Sequence, residues 1–237
     1  MNPLWYLLLI PGIPAVIILF SLACAGFVDP KKDYPAESRF YRWLLNAWTA
    51  IVLFCAGIRL DVEGMEQVPD GPILVVGNHR SNFDPIIAWH VFKKHRLTFI
   101  SKEANFHIPM FGRYIHRLRF MAIDRENPRE AIKTLHAAAE LLEEGAVSVG
   151  VYPEGTRNKT EAPLLPFHHG VLKIAQWAHT PIVVVTMQNT AAVAHRFPWK
   201  TTRVKVKVSG VLLPEEIEGQ STAHIGETVE QTILKDL

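Results

Sequence analysis

Hydrophobic patterning along the chain falls into two regimes. The first is unbroken: from Leu4 to Val28 no residue carries a charge, and a run of that length can cross a bilayer. Pro11 and Pro14 lie within it, so one kinked spanning helix and a divided re-entrant or interfacial element are both open. The run lacks the basic start and small-residue cleavage site of a signal peptide, and it is expected to remain in the mature protein. A second apolar stretch, Leu44 to Ile58, is short for a span; crossing the membrane and packing on the domain as a helical hairpin both fit it. Lys31, Lys32, Arg39 and Arg42 stand between the two runs, as in a cytoplasmic loop. Residues 1–60 are therefore expected to form a membrane-anchoring helical segment.

Beyond Asp61 the pattern changes to short β-branched runs separated by amphipathic segments. Strands are expected at Ile73–Val76, Leu97–Ile100, Phe120–Ile123, Val147–Tyr152 and Ile182–Thr186, with helices at Pro85–Phe92 and near Val171–Ala178. Asn127-Pro128-Arg129-Glu130 has the form of a helix start, with an Asn cap, Pro at the first position and Glu at the third. Ile132, Leu135, Ala139 and Leu142 give that helix an apolar face, and Gly145 ends it. Arg203–Val208 alternates strictly and predicts a strand with one wet face near a sheet edge. Such alternation predicts an α/β fold with a largely parallel central sheet flanked by helices, forming one domain over residues 61–237. His79, Lys102, Arg125 and Glu154 each fall just beyond an expected strand. Ligands bind outside the carboxyl ends of strands in open parallel sheets, so these four should converge on one edge.

Composition narrows the function. With 237 residues, 49% of them hydrophobic, the chain suits one domain plus a short appendage. A formal net charge of +2 is too small to argue for nucleic acid. Its distribution says more: Lys93 to Arg129 holds nine Lys or Arg and three acids, suiting a phosphorylated substrate or an anionic membrane surface. Cys24 and Cys55 form no C-x-x-C pair or disulfide framework. The eleven histidines show no zinc-binding spacing, so no metal is expected.

The chemistry concentrates in Asn78-His79-Arg80-Ser81-Asn82-Phe83-Asp84. A histidine with an aspartate five positions on can form a base and its orienter. On a continuous helix the two would lie on different faces, so a turn must separate them. Asp84-Pro85 equally fits a helix cap, and His79 equally fits an ordinary loop histidine. No serine or cysteine is obviously placed to join the pair, which suggests a nucleophile that arrives with the substrate. A second motif, Tyr152-Pro153-Glu154-Gly155-Thr156-Arg157, follows another expected strand.

Together these motifs resemble the 1-acylglycerol-3-phosphate acyltransferase family of the glycerolipid acyltransferase superfamily. Asn78, His79 and Asp84 match NHxxxxD at its fixed positions, and residues 152–157 match FPEGTR with Tyr for Phe. Ile123-Asp124-Arg125, Lys102 and Ile108–Gly112 are also similar to the family, and the likeness covers residues 60–212. It implies a glycerol-3-phosphate acyltransferase-like fold. It further implies acyl transfer from acyl-CoA or acyl-carrier protein, as co-substrates rather than cofactors, to a lysophospholipid at the membrane, with the domain on the cytoplasmic face. His79 and Asp84 would be catalytic. Lys102, Arg125, Glu154, Gly155, Thr156 and Arg157 would bind substrate, Glu154 and Gly155 by holding the glycerol phosphate. Phosphatidate from lysophosphatidate is the expected product; alternatives are another lysophospholipid or an aminolipid acceptor, thioester hydrolysis by the same pair, and non-catalytic lipid binding. Two departures bear on specificity. His168-His169 stands where a lysine is usual, and Pro181–Val185 lacks the fourth block's second proline.

Overall fold

The computed structural model describes the backbone over residues 4–196 and 199–237, and the side chains of 15–196 and 199–237. Two helices, α1 (Leu4–Gly26) and α2 (Arg39–Cys55), precede a seven-stranded sheet. The remaining elements are β1 (Ile58–Glu63), β2 (Leu74–Gly77), α3 (Asp84–Val91), β3 (Leu97–Lys102), α4 (Phe111–Arg117), β4 (Met121–Ile123) and α5 (Pro128–Glu143). They continue with β5 (Ser148–Val151), α6 (Lys173–Trp177), β6 (Ile182–Gln188), α7 (Thr190–Arg196), β7 (Thr202–Leu212), α8 (Pro214–Ile217) and α9 (Thr222–Leu234). Strand order is β1-β7-β6-β2-β5-β3-β4. All neighbours are parallel except β6 and β7, so the sheet is largely parallel as expected.

Both faces of the sheet are covered. Ile73, Val75, Val183 and Val185 pack with α2 and α3 residues such as Leu45, Leu53 and Ile87. Leu74, Val76, Val149 and Val184 pack on the other side against Leu135, Leu142 and Val229 of α5 and α9. This is why the central strands read as continuous apolar runs instead of alternating ones. Asn127 caps α5 as expected, its side chain accepting from the N–H groups of Arg129 and Glu130.

The alternating strand Arg203–Val208 lies inside a longer strand second from the sheet edge, near the edge as expected, with β1 paired along its outer side from Ile58↔Thr202 to Glu63↔Lys207. Two expectations are corrected. β1 was hidden in the tail of an apolar run and in the charges of Arg59, Asp61 and Glu63, and the division drawn at residue 60 falls within it. Arg42 is not a loop charge: it is buried, pairs with Glu37, donates to the Leu97 carbonyl at 3.2 Å, and lies 4.5 Å from the Trp89 ring. Four of the nine cations in the basic cluster are likewise committed. Arg113 donates to the Val28 carbonyl at 2.6 Å and Arg117 to that of Ala36 at 2.6 Å, while Arg96 pairs with Glu37 and Arg119 with Glu144.

All of those bonds but the last fasten the segment joining α1 and α2. Tyr114 Oη donates to the Ser21 carbonyl at 2.6 Å, Tyr41 Oη to that of Cys24 at 2.7 Å, and Trp89 Nε1 to Asn46 Oδ1 at 2.6 Å. So α2 is docked on the domain, with Phe54 85% and Trp43 61% exposed on its outer side. α1 runs through Pro11 and Pro14 as one 23-residue helix, and beyond residue 15 it also exposes Val16, Leu19 and Phe20. The span expected over Leu4–Val28 rests partly on side chains outside the described residues. Among the described residues no helix is long and apolar enough to cross a membrane.

Candidate active site

The four adjacent parallel strands β2, β5, β3 and β4 end on one edge. His79 follows β2 and Glu154 follows β5, Lys102 closes β3 and Arg125 follows β4. The convergence expected from strand ends is therefore what the topology produces.

His79 and Asp84 are joined through a turn. His79 Nδ1 lies 2.9 Å from Asp84 Oδ2. The same oxygen accepts the N–H groups of Arg80 at 2.7 Å and Ser81 at 2.6 Å. Asp84 is fully buried and opens α3, but its carboxylate reaches back to the loop instead of serving only as a helix cap. Where Nδ1–H donates to Asp84, Nε2 is left as the ring's acceptor. This is the tautomer a general base requires. Among the described residues the imidazole has no hydrogen-bond partner besides Asp84, so no side-chain nucleophile joins the pair.

The backbone of His79 is held from both sides. Its N–H donates to Glu154 Oε1 at 2.6 Å, and its carbonyl accepts the Asn158 N–H at 2.7 Å. Asn78, wholly buried, copies a strand's bonding with its side chain: Nδ2 donates to the Met187 carbonyl at 2.9 Å and Oδ1 accepts the Met187 N–H at 2.8 Å. The base thus projects from a loop bonded to β6 on one side and to the 152–158 turn on the other.

Glu154 takes a different place from the one its motif suggests. It is only 3% exposed, and its second oxygen accepts the Leu165 N–H at 2.9 Å. Burial raises its pKa above the usual glutamate value, against the N–H groups of Leu165 and His79, which lower it. A buried anion facing two backbone donors is a poor phosphate ligand and a good brace for the base loop. Gly155 adopts φ +67°, a left-handed conformation that favours glycine. Thr156 is exposed and Arg157 half-buried on the same turn.

Lys102 and Arg125 are both exposed, and no hydrogen bond or ion pair among the described residues involves either side chain. Lys102 pairs across the sheet with Ile123, which puts the two cations on neighbouring strand ends. A cleft of about 510 Å³ is lined by Phe106, Ile108, Met110, Arg113 and Phe120, among others, and reaches Glu103 beside Lys102. Sequence reasoning missed Arg80 and Asn158. Arg80 donates to the Ala162 carbonyl at 2.9 Å and the Thr160 carbonyl at 3.1 Å, and Asn158 Nδ2 donates to Ala162 at 2.8 Å. Their only signal was adjacency to the two motifs. Among the described residues no group of three or more His, Cys, Asp or Glu could hold a metal ion.

Comparison with known proteins agrees with this geometry. A family model described as Acyltransferase matches residues 59–188. The chain is 29% identical over 188 residues to the chloroplastic 1-acyl-sn-glycerol-3-phosphate acyltransferase of Brassica napus, covering 78% of this chain and 53% of that protein. It is 30% identical over 192 residues to a probable 1-acyl-sn-glycerol-3-phosphate acyltransferase of Mycoplasma genitalium, covering 76% of this chain and 69% of that one. The chain thus spans about half to two thirds of the length of these relatives. The crystal structure of the 1-acyl-sn-glycerophosphate acyltransferase PlsC from Thermotoga maritima superposes with a TM-score of 0.68 at 24% identity, covering 92% of this chain and 85% of that one.

Proposed function

The chain belongs to the acyltransferase family, and on that premise we propose that it moves a fatty acyl group from a thioester to the sn-2 hydroxyl of 1-acyl-glycerol-3-phosphate, giving phosphatidate. The observation that carries this reading is the His79–Asp84 pair, whose imidazole has no hydrogen-bond partner besides Asp84 among the described residues. His79 removes the proton of the acceptor hydroxyl as its oxygen attacks the thioester carbonyl. A carbon–oxygen ester bond forms, the carbon–sulfur bond breaks, and the imidazolium returns its proton to the departing thiolate. Asp84 holds the tautomer and stabilises the imidazolium. Lys102, Arg125 and Arg157 supply cations for the phosphomonoester, and the relatives' names fit a phosphorylated acceptor.

The donor is acyl-CoA or acyl-carrier protein. The outward apolar side chains of α1 and α2 rest on the bilayer that delivers the lysolipid, as an exposed patch of this kind suits. Lys31, Lys32 and Arg39 favour the cytoplasmic face.

The test is thioester turnover by detergent-purified protein with and without lysophosphatidate, reading lipid products by mass spectrometry. The expected result is phosphatidate formed only with acceptor present and not by His79→Ala. Free acid without acylated lipid would make the protein a hydrolase. Acylation of other lysolipids alone would move the substrate class.

A further inference from the structure

Three buried side-chain oxygens among the described residues have no hydrogen-bond partner: Asp84 Oδ1, Tyr152 Oη and Thr202 Oγ1. Thr202 lies on the distant β1–β7 pair. The other two belong to the site just described, and they are complementary, since a phenol donates and a carboxylate oxygen accepts. Burial, and after it the charge of Asp84, push the Tyr152 hydroxyl well above the usual tyrosine value, so it stays protonated and remains a donor.

The Tyr152 ring is fixed against the base itself. It stacks on the His79 imidazole with centroids 4.5 Å apart and planes 23° apart, and its other neighbour Phe99 lies parallel at 6.2 Å. The carboxylate of Asp84 is held unevenly: Oδ2 gathers three donors while Oδ1 has none. A buried oxygen in that state normally finds a partner or an ordered water.

We propose that Tyr152 is a positioning residue for the His79–Asp84 pair, its ring backing the imidazole and its hydroxyl donating through one enclosed water to Asp84 Oδ1. This rests on the reading of His79 as the base. With both oxygens engaged, the carboxylate plane is locked and the Nδ1 proton stays aligned. The Tyr-for-Phe departure in the second motif adds just this oxygen.

Tyr152→Phe keeps the stacked ring and removes only the hydroxyl, whereas Tyr152→Leu removes both. In the phosphatidate assay kcat should fall about tenfold for Tyr152→Phe, as for one lost hydrogen bond to a charged group, and further for Tyr152→Leu. KM for lysophosphatidate should stay at the parent value in both. Independently of any substrate, the downfield NMR signal of the proton between His79 Nδ1 and Asp84, identified by its loss in His79→Ala, should shift in Tyr152→Phe. A Tyr152→Phe protein with the parent's kcat and an unmoved signal would overturn the proposal, as would a rise in KM at constant kcat. If the parent makes no phosphatidate, the functional reading fails on its own terms, and the proton signal alone decides the role of Tyr152.

Discussion

The two halves of the strand-end edge are built on opposite principles. On the β2–β5 side the base loop is tied down: His79 is bonded through its ring, its N–H and its carbonyl, and Glu154 and Asn78 are buried with both ends occupied. On the β3–β4 side Lys102 and Arg125 stand exposed. Proton transfer needs a base already in place, since alignment is worth most when it is fixed before the substrate arrives. Recognition of a phosphomonoester needs cations whose partner is the ligand itself. Arg96, Arg113, Arg117 and Arg119 show the contrast within one basic cluster, because structural bonds to the α1–α2 segment and to Glu144 have already claimed them.

Breaking the engaged half should cost the most. His79→Ala is expected to lower kcat by about 10²–10⁴-fold, the usual worth of a positioned base, while lysophosphatidate binding measured by calorimetry stays near the parent value. Glu154→Ala strands the N–H groups of His79 and Leu165, each worth roughly 1–3 kcal/mol when left unpaired. Here kcat and the thermal midpoint should drop together, because brace and base loop are one structure.

The open half should respond differently. Arg125→Ala or Lys102→Ala should raise the KM for lysophosphatidate by the equivalent of about 1.5–3 kcal/mol, as for a lost bond to a charged group. Neither should move the melting temperature, since neither side chain supports the fold.

The smallest effect concerns pH. Burial raises the Glu154 carboxyl above the usual glutamate value, so the native state holds that proton more tightly than the unfolded chain does. Its contribution is therefore fully present below the unfolded value and lost as pH rises through the raised folded value. Urea unfolding of the parent at several pH values should show this decline, and Glu154→Gln, which cannot titrate, should flatten it.

The contrast also explains what could be read from the sequence. Strand positions, the α5 cap at Asn127 and the gathering of His79, Lys102, Arg125 and Glu154 at one edge were legible, because local pattern and parallel topology decide them. The need for a turn between His79 and Asp84 was legible from helix geometry. What stayed hidden was pairing across long stretches of chain. Asn78 with Met187, Glu154 with the His79 N–H, and Arg113 with the Val28 carbonyl join residues whose separation leaves no periodic trace. β1 was missed for a related reason, since its place depends on β7, about 140 residues further on.

The most direct test is a paired one: equilibrium binding of lysophosphatidate and single-turnover acyl transfer, measured on the parent, His79→Ala and Arg125→Ala. The account predicts that His79→Ala binds like the parent and transfers almost nothing, and that Arg125→Ala binds weakly yet transfers at nearly the parent rate once saturated. The reverse assignment, with binding lost in His79→Ala or saturated transfer lost in Arg125→Ala, would contradict the division of the edge into a fixed base and open cations.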